Sequence, residues 1–87
     1  MSNIEDRIQK DIDYFYKNIK KFDKASIQKE LSENKNLKYV YEMSKMYASD
    51  AESFLKKGDL YTSFSCISYA HGLFDALLDL RGMNDDI

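Results

Sequence analysis

The residues best equipped for chemistry in this 87-residue chain are His71, its only histidine, Cys66, its only cysteine, and the carboxylates Asp50 and Asp75. His71 and Asp75 stand four apart in "CISYAHGLFDALLDL", which puts them on one face if the stretch is helical. A histidine so placed suits proton transfer near neutral pH or metal ligation. Metal binding asks for several convergent ligands, but there is no second histidine, and Cys66 falls on a different part of the helix. A carboxylate-rich metal site in a bundle would repeat Glu-x-x-His on facing helices, and nothing here recurs with that pattern. The favoured reading of His71 is therefore a hydrogen-bonded structural or interface histidine. No catalytic, cofactor-binding or metal-ligating residue is assigned, no cofactor is expected, and the balance is against an enzyme. Asp50 and Asp75 lie at the margins of apolar faces, where pairing with tyrosine hydroxyls is favoured over lining a site. Cys66 reads as a small core residue, and Met43 and Met46 as ordinary contact residues.

What must position these groups is a set of helices. Proline is absent and only three glycines occur, which favours long uninterrupted helices over a turn-rich β-protein. Hydrophobic residues at 44% suffice for one core layer, and charged residues at 32% argue against disorder. The expectation is a single all-α domain over residues 1–87. Its architecture is a three-helix bundle: a long antiparallel αα-hairpin with an N-terminal helix packed across it. The helices should span about 3–23, 37–57 and 60–81, with a polar connector at 24–36.

The first helix opens on Ser2 and Glu5, spaced as a capping box. Ile8, Ile12, Phe15, Ile19 and Phe22 then form one narrow apolar stripe. The opposite face carries Lys10, Lys17, Lys20, Lys21 and Lys24 with Asp6 and Asp13, and reads first as a solvated face with favourable pairs four apart. In the connector, Ile27 and Leu31 support an extra helical turn or two. Asn36 is expected to cap the second helix, whose inner face runs Leu37, Val40, Tyr41, Ser44, Tyr47, Ala48, Ala51, Phe54, Leu55. Its small residues permit a close helix–helix approach. "KKGD" is the sharpest local signal: Gly58 takes the left-handed position after the helix and Asp59 caps the next one. On the third helix, ended by Gly82, Leu60, Phe64, Cys66, Ile67, Ala70, Leu73, Phe74, Leu77, Leu78 and Leu80 cover about half the circumference. His71 falls at the edge of that arc.

The remaining face of the third helix carries a strip of small residues, Ser65, Ser68, Gly72 and Ala76, with Tyr61 and Tyr69 near its edges. Amphipathic tyrosines beside a smooth strip suit a protein interface. A two-fold contact of this helix with its own copy is the simplest occupant. Net charge is −2, which makes no overall case for nucleic acid. From Asp59 onward one basic residue, Arg81, faces five acids. One cysteine excludes an internal disulfide and suits a reducing cytoplasm, and no apolar run reaches the ~20 residues that span a bilayer.

From Tyr41 to Leu78 the chain resembles the archaeal family known as domain of unknown function 357. The positions that carry the resemblance are Tyr47, Asp50, Ala51, Phe54, Leu55, Lys57, Gly58, Asp59, Tyr69, Ala70, Gly72, Leu73 and Asp75. His71 stands inside the last motif, so Asp50, Gly58, Asp59, His71 and Asp75 are the candidate motif positions. The resemblance implies a small all-helical cytoplasmic protein and supplies no activity. A weaker likeness is to HEPN domains, whose ribonuclease members place an arginine shortly before a histidine; no arginine precedes His71 on its helix. "GDLYTSF" resembles a single tetratricopeptide-like hairpin, which alone makes no solenoid. Three functions follow in order: a self-associating, non-enzymatic interaction module; a nucleic-acid-associated module using the lysine face and Tyr14; and a small enzyme or ligand-binding protein using His71, Asp75 and Asp50.

Overall fold

The computed structural model describes residues 3–24 and 28–81. Four helices occur in chain order: α1 (Ile4–Lys24), α2 (Gln28–Glu33), α3 (Lys35–Lys56) and α4 (Leu60–Arg81). Among the described residues there is no strand, and the fold is the expected all-α bundle. The connector contributes the added element, the short α2, which seats Leu31 in the core. No helix among the described residues is long and apolar enough to cross a membrane.

The caps differ from expectation at two starts. Asn3 caps α1, its side-chain oxygen accepting from the Asp6 N–H at 2.9 Å; Ser2, Ile27 and Gly82 lie outside the described residues. Asn34, not Asn36, caps α3, accepting from the N–H groups of Asn36 and Leu37 at 3.1 and 3.2 Å. Both asparagines are plausible caps by residue type, but Asn34 lets α3 begin two residues earlier and directly after α2. The α3–α4 turn forms as expected. Gly58 adopts φ +82°, and the N–H groups of Gly58 and Asp59 donate to the carbonyls of Leu55 and Phe54 at 3.1 and 3.0 Å, a Schellman pair. Asp59 then caps α4 by accepting from the Thr62 N–H at 3.1 Å.

Packing follows the apolar stripes. Three residues join α3 to α4, so the two run antiparallel, and they share the most extensive contact in the fold. Ser44, Ala48 and Ala51 of α3 and Ser63, Ile67 and Ala70 of α4 are all fully buried. Small side chains let these backbones close up, and the polar atoms are satisfied. Ser63 Oγ donates across to the Ala51 carbonyl at 2.7 Å, and Ser44 Oγ to the Tyr41 carbonyl at 2.7 Å. Among the described residues no buried side-chain polar atom lacks a partner.

Helix α1 lies in the groove on one side of this hairpin. All five stripe residues are buried, and Asn18 with them. Phe74 receives the edges of Phe15 and Phe22 at 5.7 and 5.5 Å between centroids, and Phe22 stacks on Tyr41 at 5.3 Å. Edge-to-face pairs of this kind add about 0.5–1.5 kcal/mol each beyond area burial. The Tyr41 hydroxyl donates to the Asp23 carboxylate. Early α1 residues therefore meet late α3 and late ones meet early α3, so α1 is antiparallel to α3 and parallel to α4. The molecule measures 41 × 23 × 18 Å. Its two shorter dimensions equal about two helix diameters, so every helix keeps an outward face. Phe64 and Leu80, placed on the inward arc from spacing, are instead 46% and 73% exposed. The contact with α3 and α1 covers a narrower sector of α4 than its apolar residues span.

Gly58→Val tests the turn. An added Cβ at Gly58 meets nothing within 4 Å, so the cost is backbone strain alone. A β-branched residue at positive φ should cost on the order of 1–2 kcal/mol or more and lower Tm by roughly 5–10 °C in thermal unfolding. An unchanged melting curve would contradict the left-handed turn.

Candidate functional site

His71 occupies the middle of α4 and faces α1. Its Nε2 lies 3.1 Å from the Asp11 carbonyl oxygen. A carbonyl only accepts, so Nε2 is the donor in this contact. Phe15 meets the imidazole edge-on at 5.6 Å, and Tyr14 lies tilted over it at 5.9 Å. The ring thus clamps two helices together, with one nitrogen committed to backbone.

The carboxylates grouped with it on sequence do not join it. Asp75, one turn along on α4, is exposed. Asp50 lies on α3 near Cys66, which sits on another side of α4. The Cys66 thiol is pushed up by burial first, then by the charges of Asp50 and Asp59. Such surroundings hold it as a thiol and disfavour the nucleophilic thiolate. Among the described residues no three His, Cys, Asp or Glu side chains are placed to hold a metal ion, and no pocket opens between the helices. Gly58 and Asp59 serve the turn.

Two polar contacts escaped sequence reasoning, Tyr41 with Asp23 and Tyr16 with Glu52. Both join α1 to α3. Tyr16 is pushed up to about 12 by burial, then by its hydrogen bond to Glu52 and the Glu52 charge. No local spacing signals either pair, because the partners lie far apart in sequence.

The outward surface of α4 is the largest concentration of unusual side chains. Tyr61 is 85% exposed and Tyr69 55%, beside the exposed Phe64 and Leu80. Ser65, Ser68, Gly72 and Ala76 are exposed between them. α1 does not cover this strip. An added Cβ at Gly72 meets nothing within 4 Å, so no packing inside the chain requires a glycine there. The Tyr69 ring packs against Tyr47 of α3 at 4.6 Å, which fixes its direction at the edge of the strip. On α1, Lys10, Lys17, Lys20, Lys21 and Lys24 are all exposed. Tyr14, one turn from Lys10 and from Lys17, is 60% exposed and also lies 5.9 Å from the His71 ring.

The Tyr16 environment has a measurable consequence. Its folded pKa exceeds the ordinary 10.0, so between pH ~10 and ~12 the unfolded chain has released a proton that the folded chain retains, and stability falls as pH rises through that window. Followed by tyrosinate absorbance, one tyrosine titrating well above 10 should disappear in Tyr16→Phe, and the alkaline unfolding midpoint should move to higher pH. A variant that unfolds at the same alkaline pH as wild type would contradict the assignment.

The family described as Protein of unknown function (DUF357) matches residues 10–82, which takes in most of α1 as well as the hairpin. No curated protein and no solved structure matches the chain. On a match of that extent, which adds α1 to the hairpin motifs, the chain belongs to the DUF357 family.

Proposed function

We propose that this chain is a non-enzymatic interaction module that associates with its own copy through the outward face of α4. The supporting observation is the mismatch between what α4 carries and what the chain covers. The apolar and small residues of α4 together span more of its circumference than α1 and α3 cover, leaving Phe64 and Leu80 exposed. Here half of it is bare. From Leu60 to Leu80 the helix holds no Lys, Arg or Glu, the residues a solvated face commonly carries. Gly72 sharpens the point. In an exposed helix interior glycine costs about 1 kcal/mol relative to alanine, and nothing within the chain repays that cost. Close approach of a second helix does. Exposed tyrosines at the border supply contact area at low entropic cost, as interface tyrosines do.

A chemical role for His71 has less support, because Asp50 and Asp75 are not gathered around it and one ring nitrogen is already bonded. A nucleic-acid role rests on Lys17, Lys20, Lys21 and Lys24 in the last two turns of α1, where the neighbouring Asp23 is bonded to Tyr41. Binding of that kind would weaken steeply with added salt.

Gly72→Leu is the direct test. The variant should remain helical by circular dichroism and sediment as a monomer at concentrations where the wild type is a dimer. Gly72→Ala separates the alternatives further. On an uncovered helix it should raise stability by up to about 1 kcal/mol, whereas at a close contact it should weaken the dimer. A wild-type protein that stays monomeric at high concentration would end the proposal.

A further inference from the structure

The bare arc of α4 is not uniform along its length. Its first half carries the hydroxyls of Tyr61, Ser65 and Ser68, and its second half the carboxylates of Asp75 and Asp79, all exposed. No cation accompanies them between Leu60 and Leu80. At about 100° per residue, Ser68, Asp75 and Asp79 fall on one flank of the line through Gly72, with Tyr69 and Ala76 on the other.

We infer that the copy seated on this face lies antiparallel, about a two-fold axis passing near Gly72. The inference rests on the self-association proposed above and adds its polarity and register. In an antiparallel two-fold pair, a residue some steps after Gly72 meets the residue about as many steps before it in the other chain, and each flank meets its own equivalent. Asp75 then lies beside the partner's Ser68, and Ala76 beside the partner's Tyr69. Asp79 comes within reach of the partner's Ser65 and Tyr61. Ser65 Oγ, which donates back to the Tyr61 carbonyl at 3.1 Å in the single chain, need only rotate to donate outward. Every carboxylate on the arc meets hydroxyl donors, and Gly72 meets Gly72 where the backbones are closest. The parallel alternative exchanges the flanks, moving Asp75 away from the partner's hydroxyls, and sets Asp79 against Asp79 close to the contact line. Like charges would be desolvated together with no cation between Leu60 and Leu80 of either helix to offset them. The separation of hydroxyls and carboxylates into opposite halves of one helix thus selects a second copy, turned end for end.

Cysteine cross-linking reads the arrangement. In a Cys66→Ser background, Gly72→Cys chains should oxidise to a covalent dimer, since a residue on the axis meets itself. An equimolar mixture of Ser68→Cys and Asp75→Cys chains should cross-link severalfold more than either alone, with circular dichroism confirming that each variant is folded. Efficient self-cross-linking of Ser68→Cys and of Asp75→Cys, with no gain on mixing, would overturn the antiparallel register while leaving self-association standing. Absence of cross-linking at all three positions in a protein that sediments as a dimer would also overturn it, placing the dimer contact elsewhere. A monomeric wild type would overturn both readings, and would leave the acidic arc to a basic partner.

Discussion

The close approach of α3 and α4 along Ser44, Ala48, Ala51, Ser63 and Ala70 is the constraint on which the other contacts depend. Because small residues make up most of this contact, the hairpin presents a groove to α1. Phe74 can then stand in that groove and receive both Phe15 and Phe22. The same intimacy makes the Ser63 bond to the Ala51 carbonyl possible, at a distance only small neighbours allow. A larger residue at Ala48 would force the helices apart, at a typical overpacking cost of 1–3 kcal/mol, and would loosen the seat of α1 at the same time.

Most of the helical frame was legible in the sequence because it is written in local signals. The stripe from Ile8 to Phe22 states its own period, and the turn at Gly58 needs a residue that tolerates positive φ. The start of α3 was harder, since Asn34 and Asn36 offer equivalent caps and the choice depends on how α2 delivers the chain. Phe64 and Leu80 show the limit of periodicity. Spacing tells which residues are apolar on a helix but not how wide a sector its neighbours cover. Tyr41 with Asp23, Tyr16 with Glu52 and His71 with the Asp11 carbonyl were out of reach for a related reason. Each depends on where α1 lands, and that is settled by packing over the whole groove.

The polar groups with chemical potential divide accordingly. His71, Tyr16 and Asp23 are occupied in fastening α1 to the hairpin. Cys66 is kept protonated by its burial and its acidic neighbours. What the fold leaves unassigned is surface on α4, composed of hydroxyls, carboxylates, small residues and rings. In a molecule about two helices thick, such surface is unavoidable; its composition is not. No packing within the chain requires a glycine at position 72, and Tyr61 is 85% exposed.

The order of helices along the chain has a consequence for synthesis. α1 leaves the ribosome before α3 and α4, yet both walls of its groove belong to those later helices. At 5–20 residues per second, the stripe from Ile8 to Phe22 waits on the order of seconds with no native partner. The α3–α4 hairpin, by contrast, is built from contacts between near neighbours across a three-residue link and can close within a small fraction of that time. The apolar stripe of α1 is therefore the surface left unpaired longest, and the lysines and aspartates interspersed along it are the kind of residue that opposes aggregation of such a stripe.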